Sequence, residues 1–227
     1  MNKKKIFIAC DTTSHKKINQ IIKETQTNKL SIHYKIGLEF FLSPKGRGFI
    51  QKLKNKKIFL DLKLNDIPNT CAAAISSLKD LRNISYITVH INGGLEMLKA
   101  VKKVNRKIKI LGVTILTSFS NSSIKQIGHT KSIKELVKKQ VALAKIAKLD
   151  GIVCSGHEAK FLKKICRNME IITPGIRLPE EEENDDQKRV VTPKQAFQNG
   201  ATAVVIGRSI TRGNIKNNIQ KLIKSLN

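Results

Sequence analysis

The sequence predicts a closed (β/α)8 TIM barrel, an α/β fold in one domain spanning residues 1–227. Three observations predict it. Eight short apolar runs rich in Ile, Val and Leu alternate with eight segments of helical period. No half of the chain duplicates the other, and no Gly-, Pro- or Ser-rich linker divides it. Charged or polar residues close the apolar runs, and the strand ends of such barrels are where chemistry sits. An open doubly wound sheet is the alternative, but the first run lacks the Gly-rich turn of a dinucleotide-binding sheet.

The first run, residues 6–11, follows Lys3, Lys4 and Lys5 and meets Asp11 at once. It is too short for a signal-peptide core and reads as a strand, and a helical period over 15–25 follows. A second strand at 32–37 carries Lys35 near its end and precedes a helix over 45–54. The third strand, 58–63, is the most informative stretch of the chain. Alternation puts Asp61 and Lys63 on one face and Leu60, Leu62 and Leu64 on the other. Asp66 falls past the strand end, and Ile67-Pro68 breaks the pattern before a helix begins near Asn69 or Thr70 and runs to residue 81. Strands at 86–91 and 108–116 come next, with helices over 94–104 and 133–149. Strands at 151–155, 171–173 and 203–207 complete the set, with helices over 157–167, 192–199 and 215–226.

Composition excludes several classes. No run approaches the roughly 20 apolar residues of a membrane-spanning helix. Cys10, Cys71, Cys154 and Cys166 are scattered without a Cys-x-x-Cys pair, which suits reduced, buried thiols in a cytoplasmic protein better than a disulfide frame or a zinc site. The net charge of +26 could signal nucleic-acid binding. Its 35 lysines, however, spread along the whole chain on polar helix faces, for example Lys134, Lys138, Lys145, Lys160 and Lys164. Aromatics make up 4% of residues, too few for a base-stacking platform, so no nucleic acid is expected as partner.

The strand ends expose Asp11, Lys35, Asp61, Lys63, His90, Thr117, Ser118 and Ser155. Taken singly, His90 and Ser155 read as structural hydrogen-bonding residues, and Asp11 could cap the next helix. The loops after strands seven and eight are the usual phosphate grip of these barrels. Here they read Thr173-Pro174-Gly175-Ile176-Arg177 and Ile206-Gly207-Arg208-Ser209. Glycine lets backbone approach an anion, and arginine offers a fork of donors matched to phosphate oxygens. The expected ligand is a phosphorylated small molecule. Between the loops, residues 180–187 hold six of the 17 acids, a run that reads as a solvated lid rather than a metal site, with Gln187 placed to fold over a phosphate.

Across nearly its full length the chain resembles the orotidine 5′-phosphate decarboxylase family. The matching segments are Tyr34-Lys35-Ile36-Gly37, Asp61-Leu62-Lys63 through Asp66-Ile67-Pro68-Asn69-Thr70, Val113 through Ser118, Thr173 through Arg177, Asp186 through Pro193, and Val205 through Thr211. Cys10 departs from the pattern, where the family usually has leucine. The resemblance implies that Lys35, Asp61, Lys63 and Asp66 form an alternating charged array beneath a pyrimidine. It implies a homodimer in which Asp66 and Thr70 reach the neighbouring site. Asp11 would hold a ribose hydroxyl, and Thr117 and Ser118 would lie by the base. Gln187, Arg177 and Arg208, with Gly207 beside them, would hold the phosphate.

The chemistry implied is loss of CO2 from C6 of orotidylate, which leaves an sp² carbanion that the ring delocalises poorly. A fixed positive charge and a proton donor are needed at one place, and Lys63 between Asp61 and Asp66 serves as both. No metal or cofactor is required. A related sugar-phosphate decarboxylase would use Mg²⁺ bound partly by an acid at the end of the second strand, where this chain has Lys35. A basic RNA-binding protein on a degenerate barrel is the rival from another class, and the intact set of charged strand ends argues against it.

Overall fold

The computed structural model describes residues 3–104, 107–179 and 190–226. Eight parallel strands close into a barrel in sequence order: β1 (Lys5–Ala9), β2 (Ser31–Gly37), β3 (Ile58–Leu64), β4 (Ile84–His90), β5 (Lys109–Val113), β6 (Gly151–Val153), β7 (Glu170–Thr173) and β8 (Ala203–Ile206). Closure is made by β1 pairing with β8, Lys5 opposite Ala203 through Ile8 opposite Ile206. The expected eight units are therefore present.

Alternation along each strand divides the core into two layers. Phe7 and Ala9 of β1 point inward with Phe59, Tyr86, Leu111, Ile172, Ala203 and Val205. Ile6 and Ile8 point outward into the larger layer beneath the helices. Inside, Phe7 meets Phe59 and Tyr86 edge-on, with ring centroids 5.1 and 5.2 Å apart, the arrangement favoured by opposed ring edges and faces. Below these rings, Glu170 accepts from Lys5 Nζ at 2.9 Å and the Tyr86 hydroxyl at 3.1 Å, and it pairs with Lys109. Burial alone would raise its carboxyl pKa, but Lys109 and Lys5 outweigh that and hold it below the usual range. Aromatic packing and this ionic cluster fill the N-terminal end of the barrel interior.

The outer ring comprises α1 (His15–Glu24), α2 (Leu38–Leu42), α3 (Gly46–Lys52), α4 (Pro68–Ser76), α5 (Gly94–Val104), α6 (Asn121–Gln126), α7 (Ile133–Ile146), α8 (Gly156–Leu162), α9 (Pro193–Gln198), α10 (Arg208–Thr211) and α11 (Ile215–Leu226). Side-chain caps set several starts. Ser132 with Glu135, Ser155 with Glu158, and Thr192 with Gln195 form reciprocal capping boxes. Ser155 is thus a helix cap rather than a strand end, as its structural reading held. Lys134, Lys138, Lys145 and Lys160 are exposed on helix surfaces, and Lys164 is exposed in the turn that follows α8.

Boundaries differ from expectation where local signals conflict. The fifth strand stops at Val113, three residues early: Thr114 N still donates to the Val153 carbonyl at 3.1 Å, but the chain bends at Ile115, and Ile115, Leu116 and Thr117 line the cavity. Pro68 opens α4 rather than preceding it, since proline at the first helical position loses no bond a helix needs. Helices α2, α6 and α10, of four to six residues, are not among the expected elements. Gly46 starts α3 where a Cβ would lie 2.0 Å from the Phe40 carbonyl oxygen, so only glycine fits that turn.

Candidate active site

A cavity opens at the C-terminal mouth of the barrel, walled by residues from every strand end except that of β4. Asp11, Lys35, Asp61 and Lys63 line it from the ends of β1, β2 and β3, and Gly175, Arg177, Gly207 and Arg208 from the ends of β7 and β8, with Gly207 next to Asp11 where β8 closes on β1; Leu116 and Thr117 line it after β5. Ala9, Phe59, Val113 and Val205 form its apolar floor.

The charged wall is a continuous chain of ion pairs. Lys35 Nζ lies 3.1 Å from Asp11 Oδ1 and 3.4 Å from Asp61 Oδ2. Asp61 Oδ1 lies 2.9 Å from Lys63 Nζ and also accepts the Thr88 hydroxyl at 2.9 Å. Adjacent strands β2 and β3 set the spacing, because Lys35 pairs with Phe59 and Gly37 with Asp61 across the ladder. Burial works against ionising Asp61, yet Lys35 and then Lys63 hold its carboxyl below the ordinary range. Burial likewise disfavours the Lys35 ammonium, and Asp61 and Asp11 overcome it, so its pKa is raised. Each charge is kept by its neighbours.

Lys63 itself departs from simple alternation. Its φ is 49°, in the left-handed region that costs a residue with a Cβ about 1–2 kcal/mol. The β3–β4 register shifts between Leu60 and Leu64, so the strand bulges where Lys63 leaves it. The ammonium still reaches the cavity, with its side chain 39% exposed against 14% for Asp61. Within the chain of ion pairs it is the more exposed of the two ammonium groups, against 12% for Lys35, while Asp11 at the outer end is 61% exposed.

Several expected site residues lie elsewhere. Asp66 is exposed, and its Oδ1 accepts the Ile67 amide at 2.6 Å. Within one chain the array therefore runs Asp11–Lys35–Asp61–Lys63, with Asp66 outside it. Thr70 is exposed on α4, and Ser118 is exposed beside Thr117 without lining the cavity. Gln187 and the acidic run fall outside the described residues. Their flanks are joined, because Ile176 bridges Val191 and Arg177 N donates to the Val191 carbonyl at 3.1 Å. His90 ends β4, where burial and then Lys63 push its pKa down and favour the neutral ring. Thr88 and Cys154 were not singled out by sequence. A lone threonine inside the apolar run 86–91 was the signal for the first, and nothing marked the second.

A closed parallel barrel with paired charges and two arginines at its C-terminal mouth defines a (β/α)8-barrel enzyme. Residues 4–220 match the family described as "Orotidine 5'-phosphate decarboxylase / HUMPS family", and the chain belongs to that family. It is 43% identical over 200 residues to an orotidine 5′-phosphate decarboxylase of Wolbachia pipientis subsp. Culex pipiens, covering 85% of this chain and 86% of the relative. With the enzyme of that name from Carboxydothermus hydrogenoformans it shares 41% over 217 residues, 91% of this chain and 88% of the other. The crystal structure of orotidine 5′-phosphate decarboxylase from Lactobacillus acidophilus superimposes with a TM-score of 0.83 at 31% identity, covering 100% of both chains.

Proposed function

We infer that the chain decarboxylates orotidine 5′-phosphate to uridine 5′-monophosphate and CO2, the last step of UMP synthesis, without metal or cofactor. The observation that carries this reading is the unbroken alternation of charge from Asp11 to Lys63, lining one cavity together with two arginines. Arg177 and Arg208 would grip the phosphate, and Gln187 would close on it. Asp11 would hold a ribose hydroxyl, and Thr117 with Ser118 would meet the base.

The reaction needs charge more than bonds. Asp61 is held ionised and would face the substrate carboxylate. Two unit charges about 4 Å apart interact by roughly 4 kcal/mol at an effective dielectric near 20. As the C6–carboxyl bond breaks, its electron pair stays on C6 and CO2 departs. The Lys63 ammonium stabilises that pair and then passes its proton to C6. Both Asp61 oxygens are already engaged by ammonium groups, which disfavours a divalent cation at the same carboxylate. The test follows orotidylate absorbance with a chelator present. Turnover that persists supports the reading, and unchanged absorbance or dependence on added metal overturns it.

Arg208→Ala is expected to raise KM for orotidylate about tenfold to a hundredfold, as loss of a charge-assisted hydrogen bond would. Steady-state kinetics on the phosphorylated and unphosphorylated nucleosides check this, since an equal loss on both would contradict a phosphate role.

The functional unit would be a homodimer in which Asp66 and Thr70 enter the neighbouring site. Leu38 and Leu42 on α2 and Ile67, next to Asp66 in the chain, are 49%, 72% and 66% exposed, apolar side chains that a second copy would cover. Inactive Lys63→Ala and Asp66→Ala chains should regain activity when refolded together, because a mixed dimer has one intact site. Failure to complement would exclude the shared site. Four buried, free cysteines among the described residues accord with a reducing, cytoplasmic setting.

A further inference from the structure

Thr88 lies within β4, wholly buried, and its hydroxyl stands between two atoms of the charged chain. Oγ1 donates to Asp61 Oδ1 at 2.9 Å and accepts the Lys63 backbone N–H at 2.9 Å. One hydroxyl proton and two lone pairs allow both bonds at once.

The second bond answers a need created by the bulge. Between the paired positions Leu60–Ile87 and Leu64–Val89, β3 spends Asp61, Leu62 and Lys63 where β4 has only Thr88. The Lys63 amide donates to that side chain, in place of a carbonyl across the ladder. Lys63 also holds a left-handed backbone, a conformation that persists only where the surroundings over-determine it. A buried N–H without an acceptor would be a standing penalty, and Thr88 supplies the acceptor.

We propose that Thr88 is a positioning residue for the decarboxylation. Its hydroxyl fixes the backbone from which Lys63 projects and the carboxylate that Lys63 Nζ is paired to, so the ammonium is located from both ends. Thr88 is not among the residues lining the cavity and acts through Asp61 and Lys63. The proposal rests on the reading of Lys63 as the group that meets C6.

The test measures kcat and KM for orotidylate with the wild type, Thr88→Val and Thr88→Ser. Valine keeps the branched shape and removes the hydroxyl, whereas serine keeps the hydroxyl and removes the methyl group. Thr88→Val should lose about tenfold to a hundredfold in kcat, as expected of a small misplacement, while KM stays within about threefold because the phosphate grip is built on other strands. Thr88→Ser should recover most of the lost kcat. The proposal is overturned if Thr88→Val keeps kcat within about threefold of wild type, or loses KM and kcat alike. It is overturned equally if Thr88→Ser is as slow as Thr88→Val, since the loss then follows packing and not the hydroxyl. Should Thr88→Val fail to fold, Thr88→Cys, similar in size with a weak donor, is read against the same limits. A wild type that does not turn over orotidylate removes the underlying reading, whereas an active wild type with an unimpaired Thr88→Val removes only the role of Thr88.

Discussion

Replacing Lys63 with alanine is expected to lower kcat at least about 10⁴-fold while leaving a folded barrel. A positioned general acid contributes ~10²–10⁴ and a fixed stabilising charge ~10²–10³, and the substitution removes both from one atom. The rest of the wall survives it. Asp61 keeps Lys35 at 3.4 Å and the Thr88 hydroxyl at 2.9 Å, and Lys35 keeps Asp11 at 3.1 Å. Lys63 is the more exposed partner of its pair, so deleting its charge strands little in the interior. Lys63→Arg separates the two roles. Arginine keeps the positive charge but does not give up a proton in proteins, so it should recover only part of the lost rate. Absorbance kinetics on the three proteins, with circular dichroism to verify folding, check the expectation. A kcat for Lys63→Ala within about tenfold of wild type would take the proton and the charge away from this residue.

Much of this site was legible because most strand ends carry a charged residue within or a few residues beyond an apolar run, Arg177 standing four past Thr173. Lys35, Asp61, Arg177 and Arg208 needed only the rule that parallel barrels place active residues at the C-terminal mouth. The arrangement of Asp11 was legible as a position and not as a partner, since its ion pair with Lys35 depends on β1 and β2 lying side by side in register. Lys63 was found for an incomplete reason. Alternation placed it with Asp61, but a bulge and a left-handed backbone bring it there, and neither has a signature in Asp-Leu-Lys-Leu. Thr88 was hidden by the same logic. Within Tyr86-Ile87-Thr88-Val89-His90 it reads as a β-branched strand residue, and only the neighbouring strand's irregularity gives its hydroxyl two partners. Short helices α2, α6 and α10 escaped, although α9, also of six residues, was read at 192–199, so length alone does not account for them. Asp66 shows the opposite limit, for sequence likeness joins it to an array from which one chain's fold holds it apart.

Asp61→Asn should be the most destabilising change in the wall, costing about 3–5 kcal/mol near neutral pH because it takes a counter-charge from the buried Lys35 ammonium, whereas the half-exposed Lys63 is left to solvent. The lower end is expected, because Asp11 remains beside Lys35. Activity should fall as well, by about 10²-fold or more, since the charge that opposes the substrate carboxylate and orients Lys63 is gone. The pH dependence follows from the sign of each shift. Asp61 has a lowered pKa, so its contribution is present above the ordinary value of 3.8 and is lost as pH falls through the folded value. Lys35 has a raised pKa, so its contribution is present below 10.5 and is lost as pH rises through the folded value. The stability gap between wild type and variant should therefore be widest across the neutral range and narrow toward both extremes. In acid the wild-type carboxyl becomes neutral like the amide, and in alkali the lysine no longer needs a counter-charge. Urea unfolding of both proteins at acid, neutral and alkaline pH measures the gap. A gap that stays constant across that range would assign Asp61 a packing role, and the alternation of charge would cease to explain why these side chains stay ionised inside the barrel.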